Sequence, residues 1–223
     1  MNPALAVLFA KDLRQGWRAR GRLGATFAFG LTTLLLFSFG AGPDSAALRQ
    51  NAAGYQWLAL LMMSTLSLAE SFRVESQNAA LEGLLLVPTP PPAVYFAKFL
   101  ANFVVLFGLG AVLVPFVVVL YGVSPALGPL RWYGVIALGC AGLAAPGTLY
   151  AALSAQARGR DVLLPVLLFP LVVPALVAAT SATSLVLAGD PMDQLGGWTK
   201  LLAAFDLLYA ALCGALFSRV VED

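Results

Sequence analysis

Residues Glu70–Lys98 read ESFRVESQNAALEGLLLVPTPPPAVYFAK, a polar stretch set between two long apolar segments. Charged residues make up only 11% of the chain, yet Glu70, Glu75 and Glu82 stand here together with Arg73 and the pair Gln77-Asn78. A polar island between apolar runs of this length belongs in water, and the runs on either side belong in lipid. Inside the island Leu81, Leu84 and Leu85 recur at i, i+3, i+4 while Arg73, Glu75 and Glu82 fall on other faces. That spacing predicts an amphipathic helix of about four turns. Pro88 ends it, and Pro90-Pro91-Pro92 fixes φ and removes backbone donors, so an extended strut is expected until the next helix starts near Val94. Spacing alone leaves two readings open: a docking helix held at the membrane surface, or a solvated loop joining two spans.

Outward from this stretch the chain is apolar almost throughout. With 60% apolar residues and a mean hydropathy of +0.86 it lies well above the roughly 45–50% apolar content of soluble domains. The expected fold is all-α: a single transmembrane domain over 1–223, with spans at about 23–40, 52–69, 94–121, 132–153, 162–187 and 201–217 and the polar loop at 70–93. Residues 2–22 precede the spans, with Leu5, Phe9, Leu13 and Trp17 on one side and Lys11, Arg14, Arg18 and Arg22 on another, the pattern of a basic interfacial helix. A signal peptide would instead need a short basic region and a small-residue cleavage site.

Several spans carry local signals. Tyr55 and Trp57 fall where rings favour the membrane interface, and Pro115 is placed to kink span three. Gly139, Gly142 and Gly147 give span four a surface for close helix approach. Span five holds Pro165, Pro170 and Pro174 ahead of Thr180-Ser181-Ala182-Thr183-Ser184, which argues against a straight, regular helix. A polar loop, Gly189–Lys200, leads to span six. Six spans place ten of the thirteen Lys/Arg on the side of the termini (the five of the N-terminal arm, Arg73, Lys98, Arg158, Arg160 and Arg219) and leave Arg49, Arg131 and Lys200 opposite. The positive-inside rule then makes both termini cytoplasmic.

Composition also excludes chemistry. Without histidine there is no Ser/His/Asp or Cys/His arrangement, no imidazole ligand for haem or metal and no neutral-pH proton shuttle. No lysine lies in a phosphate-binding G-x-x-x-x-G-K-S/T loop, so no catalytic residue is expected and the chain is not its own motor. Cys140 and Cys213 sit in apolar runs as small core residues with no metal spacing. A net charge of +2 offers nothing that points to nucleic acid. One acid, Asp206, enters the outer half of span six, either as a functional intramembrane group or as an acid that reaches the outer interface or pairs with a base such as Arg131. Asn102 in span three reads as interhelical glue.

Glu75 and Glu82, followed by Leu81-Glu82-Gly83-Leu84-Leu85-Leu86-Val87-Pro88 and a later Lys98, resemble the first cytoplasmic loop of type-2 ABC exporter permeases. The usual form there is E-x-x-x-G-T-L-E-x-L-L-x-x-P; here Ala79-Ala80 replaces Gly-Thr. The resemblance implies a coupling helix that docks on an ATPase subunit through Glu75, Leu81, Glu82, Leu84, Leu85 and Pro88. FAKDL (Phe9–Leu13), LSAQARGRDVLLPVLLFPLVVP (Leu153–Pro174), Phe205-Asp206 and FSRVVE (Phe217–Glu222) together are similar to the haem-exporter permeases of cytochrome c maturation. This implies a multi-pass protein of the bacterial inner membrane whose partners are membrane lipid, a separate ATPase that alone binds ATP, further membrane subunits and a periplasmic haem chaperone. Haem would be a handled substrate, not a bound cofactor. Two readings follow, a permease that moves haem and a mechanical subunit acting on a haem-handling neighbour; lack of histidine and of an evident polar cavity leans toward the second. A permease for a lipid, glycan or drug is the alternative.

Overall fold

A chain this apolar must close its backbone hydrogen bonds within each segment, and it does so as helix. The computed structural model describes residues 3–18, 20–42, 45–77, 91–156 and 160–222. Among them are seven α-helices and no strand: α1 (Pro3–Arg18), α2 (Arg20–Gly40), α3 (Ser45–Gln77), α4 (Pro91–Tyr121), α5 (Pro129–Gln156), α6 (Arg160–Ala188) and α7 (Leu195–Glu222). The six from α2 to α7 are long and apolar enough to cross a membrane, so the all-α, six-span architecture holds. Phe39, Val119, Leu130 and Leu207 stay exposed on its outside, as side chains do when the surrounding solvent is lipid.

Several elements outrun their sequence-derived limits. α3 begins at Ser45, not near Ala52, because Ala46-Ala47-Leu48-Arg49-Gln50 are all good helix formers. At its other end it passes Ala69 and continues to Gln77, so the first part of the polar stretch prolongs the span instead of starting a new helix. α4 starts at Pro91, earlier than the expected Val94. Pro91 and Pro92 occupy its first turn, where a missing N–H leaves no hydrogen bond broken. α7 starts at Leu195, inside the expected loop, because Asp190 accepts from the backbone N–H groups of Gln194 and Leu195, each at 2.8 Å, and so satisfies the first orphan donors of the helix.

α6 departs most from expectation. It is one uninterrupted α-helix from Arg160 to Ala188 despite Pro165, Pro170 and Pro174. Pro170 and Pro174 lie on its exposed side, while Leu168, Val172, Ala175, Ala179 and Ala182 form a buried stripe at three- and four-residue spacing. Packing of that stripe, in surroundings where no water competes for the backbone, holds the helix together against its prolines. α4 likewise continues as one α-helix through Pro115.

α5 is the centre of the bundle and packs against α3, α4, α6 and α7. Its glycines make that possible: a Cβ at Gly139 would overlap the Trp57 ring, and one at Gly147 would overlap Leu68. Trp57 is therefore an interior side chain and not the interface anchor its sequence position suggested. It is fully buried and its Nε1 donates to Thr183 Oγ1 at 2.8 Å, tying α3 to α6. Trp132 Nε1 donates to Gln56 Oε1 at 3.1 Å, tying α5 to α3. Tyr55 stacks on Phe37 of α2. Cys140 and Cys213 are buried free thiols.

Candidate functional site

Both ends of the polar stretch are anchored by charge to the N-terminal arm. Glu70 of α3 accepts a hydrogen bond from Arg22 Nη1 at the start of α2, at 2.9 Å. Lys98 of α4 places its Nζ 3.4 Å from Asp12 Oδ2 of α1. The two pairs differ in depth: the Arg22 and Glu70 side chains are 49% and 32% exposed, those of Lys98 and Asp12 only 4% and 10%. An intramembrane base is tolerated when an acid meets it, and the reverse holds for Asp12 on an otherwise basic helix. Asp12 was not singled out from sequence. The available signals were a lone acid in the basic N-terminal arm and a lone base in the apolar run of α4.

Between the two pairs lies a cavity of about 370 Å³, walled by α1, α2, α3 and α4. Its lining mixes charged and polar side chains with apolar wall, at a place where no polar cavity is evident from sequence. Asn102 lies at its wall and donates from Nδ2 to Thr148 Oγ1 of α5 at 3.0 Å, so it does serve as interhelical glue. Among the described residues no group of three or more His, Cys, Asp or Glu could hold a metal ion. Glu75 falls in the last turns of α3, where the backbone alone is described. Leu81, Glu82, Leu84, Leu85 and Pro88 lie outside the described residues.

Asp206 sits where the sequence did not place it. The span of α7 is Leu195–Phe217, so Asp206 lies at its middle, about 16 Å from either end at 1.5 Å per residue, and not in an outer half. Both carboxylate oxygens are buried and make no hydrogen bond. A Cβ on Gly142 of α5 would stand 2.9 Å from Oδ1 and 3.3 Å from the Cβ of Ala175 on α6, so the carboxyl fills the slot that Gly142 leaves open at the α5–α6–α7 junction. Arg131 is not its partner: it is exposed near the start of α5, about 16 Å along that helix from Gly142. An acid turned inward at mid-span does not reach an aqueous interface either.

These positions fall within one family's span. The family model described as CcmB protein matches residues 3–221. The chain belongs to the CcmB family. Relatives of this CcmB chain include Heme exporter protein B of Rhodobacter capsulatus, 36% identical over 176 residues that cover 78% of this chain and 79% of that one. Heme exporter protein B of Paracoccus denitrificans is 32% identical over 211 residues, 93% of this chain and 94% of its own. The Escherichia coli K12 protein of the same name is 32% identical over 197 residues, 88% of each. The family match spans the N-terminal arm, the polar stretch and the six apolar helices of this CcmB chain and is not confined to one motif.

Proposed function

We propose that this chain is the permease subunit of an ABC transporter serving haem export and cytochrome c-type biogenesis, a multi-pass protein of the bacterial inner membrane. The observation that carries the reading is the family match over residues 3–221, on a chain whose six apolar helices are long enough to span a bilayer. In this reading ATP is bound and hydrolysed on a separate subunit, haem is handled and not held as a cofactor, and further membrane subunits and a periplasmic haem chaperone complete the assembly. Both termini and the 70–93 loop face the cytoplasm, as the division of basic residues favours.

The polar stretch is then the coupling element. Leu81, Leu84 and Leu85 would lie in a groove of the ATPase, Glu75 and Glu82 would meet bases at its rim, and Pro88 would fix the exit of the chain. The anchoring of Glu70 and Lys98 to the N-terminal arm supports this role, because a segment that transmits a push needs feet that do not slide. The test is copurification of the ATPase, together with cytochrome c maturation, in Glu75→Lys and Glu82→Lys. Charge reversal is expected to weaken assembly or uncouple hydrolysis while membrane insertion persists. Unchanged copurification and unchanged maturation in both variants would refute docking.

A further inference from the structure

α5 carries a proline inside its helix, Pro146. A proline has no N–H, so the carbonyl of Gly142, four residues earlier, loses its helical donor, and the turn between them is the least braced of α5. This turn is buried, and three other helices reach it. Asp206 of α7 fills the slot at Gly142, and Leu68 of α3 packs at Gly147, just past the proline. α4 reaches it by hydrogen bonds. Tyr95 Oη donates to the Ala145 carbonyl at 2.9 Å. Asn102 Nδ2 donates to Thr148 Oγ1 at 3.0 Å, and that hydroxyl donates to the Ala144 carbonyl at 2.7 Å.

Repair of the proline does not explain these bonds. Ala144 and Ala145 keep helical donors of their own in the N–H groups of Thr148 and Leu149, and the carbonyl that Pro146 deprives is that of Gly142. The bonds from α4 use the second lone pairs of carbonyls the helix already serves, and so fasten this turn to α4 beyond what α5 itself needs. Tyr95 is the stiffer of the two links. It is fully buried, and its ring is held between Phe99 of its own helix, centroids 6.3 Å apart, and Phe217 of α7, at 5.7 Å. A side chain locked by packing passes a displacement on instead of absorbing it. Tyr95 also stands near the start of α4, about 6 Å of helix beyond Pro91, so movement at the end of the polar stretch reaches it within little more than a turn. Through its hydroxyl the movement arrives at the residue before the proline, on the helix against which α6 and α7 pack. On the reading that the 70–93 loop docks the ATPase, we propose that Tyr95 is the positioning residue that passes the loop's motion to the membrane core, bending α5 at Pro146 and carrying α6 and α7 with it.

The experiment uses the purified complex of the full-length chain with its ATPase in lipid nanodiscs. ATPase retention, ATP hydrolysis and haem-chaperone loading and release are measured on one preparation, and release is divided by the ATP consumed. Tyr95→Phe keeps the ring and removes only the hydroxyl. Pro146→Ala leaves Tyr95 in place and gives the Gly142 carbonyl its helical donor back. Both variants should retain the ATPase and hydrolyse ATP near the parent rate, while release per ATP falls about tenfold, the scale of one hydrogen bond. A hydroxyl with a structural role alone would move the melting temperature and leave that ratio unchanged. A parent-like ratio in either variant overturns the assignment, and so does loss of the ATPase from Tyr95→Phe, which would put Tyr95 in the docking surface. Pro146→Ala decides the matter if Tyr95→Phe fails to fold. A parent chain that holds no ATPase would sink the coupling role and this one together, whereas a coupled parent with equally coupled variants sinks this one alone.

Discussion

Asp206→Leu replaces an acid at the middle of a span by an apolar group of nearly the same shape. No hydrogen bond is lost, since neither carboxylate oxygen makes one. Removing an acid from the centre of a membrane helix relieves about 2.5–3.5 kcal/mol on insertion scales. Against this, a methyl group is larger than the oxygen it replaces, in a slot bounded by Gly142 and Ala175, and overpacking costs about 1–3 kcal/mol. The expected net change runs from roughly zero to 2 kcal/mol of stabilisation, and Asp206→Asn, which keeps size and polarity, should stay near zero. Thermal or SDS denaturation of the full chain in lipid reads stability; ATPase rate, subunit retention and haem-chaperone loading on the same preparation of the complex read function. A more stable variant that handles haem poorly identifies Asp206 as an acid kept for function at the expense of stability. A loss of about 2 kcal/mol or more in both variants would show that the carboxyl has a partner in the folded chain, and the reasoning from an unpaired acid would fail. Parent-like haem handling in both would remove Asp206 from the functional residues.

Asp12→Asn and Lys98→Met should each destabilise the chain by about 3 kcal/mol, the low end for a buried pair because Lys11 remains beside Asp12. The double variant should cost clearly less than the two together, and strictly additive melting data would deny the pair. Gly139→Ala should cost about 2–4 kcal/mol, because its Cβ displaces the Trp57 ring and strains the bond to Thr183; a parent-like melting temperature would contradict that packing. A cysteine at Asp193 should react with an impermeant thiol reagent from the periplasm and one at Gly159 should not, against a low background because Cys140 and Cys213 are buried. Reversed labelling would invert the orientation.

Hydropathy and composition determined the fold class, because lipid leaves the backbone little besides the helix and a span needs about twenty apolar residues. The same sequence carried the family resemblance in FAKDL, the polar stretch and the proline series, and it marked Gly139, Gly142 and Gly147 as points of close approach. Helix ends were less legible: α3 and α7 extend beyond the apolar windows because helix formation follows local propensity and the Asp190 cap, neither of which hydropathy registers. α6 shows the converse, a proline-rich segment kept helical by a buried stripe that exists only once α5 is beside it.

What only the tertiary structure decided are pairings between distant positions. Asp12 and Lys98 are 86 residues apart in sequence and meet because α1 folds back onto α4. Asp206 turns inward because Gly142, on another helix, leaves it room. A lone charge in an apolar segment says that something must compensate it. Which group does so, or whether none does, depends on the lateral arrangement of helices, and a sequence that is uniformly apolar on most faces encodes that arrangement only through the sum of its packing contacts.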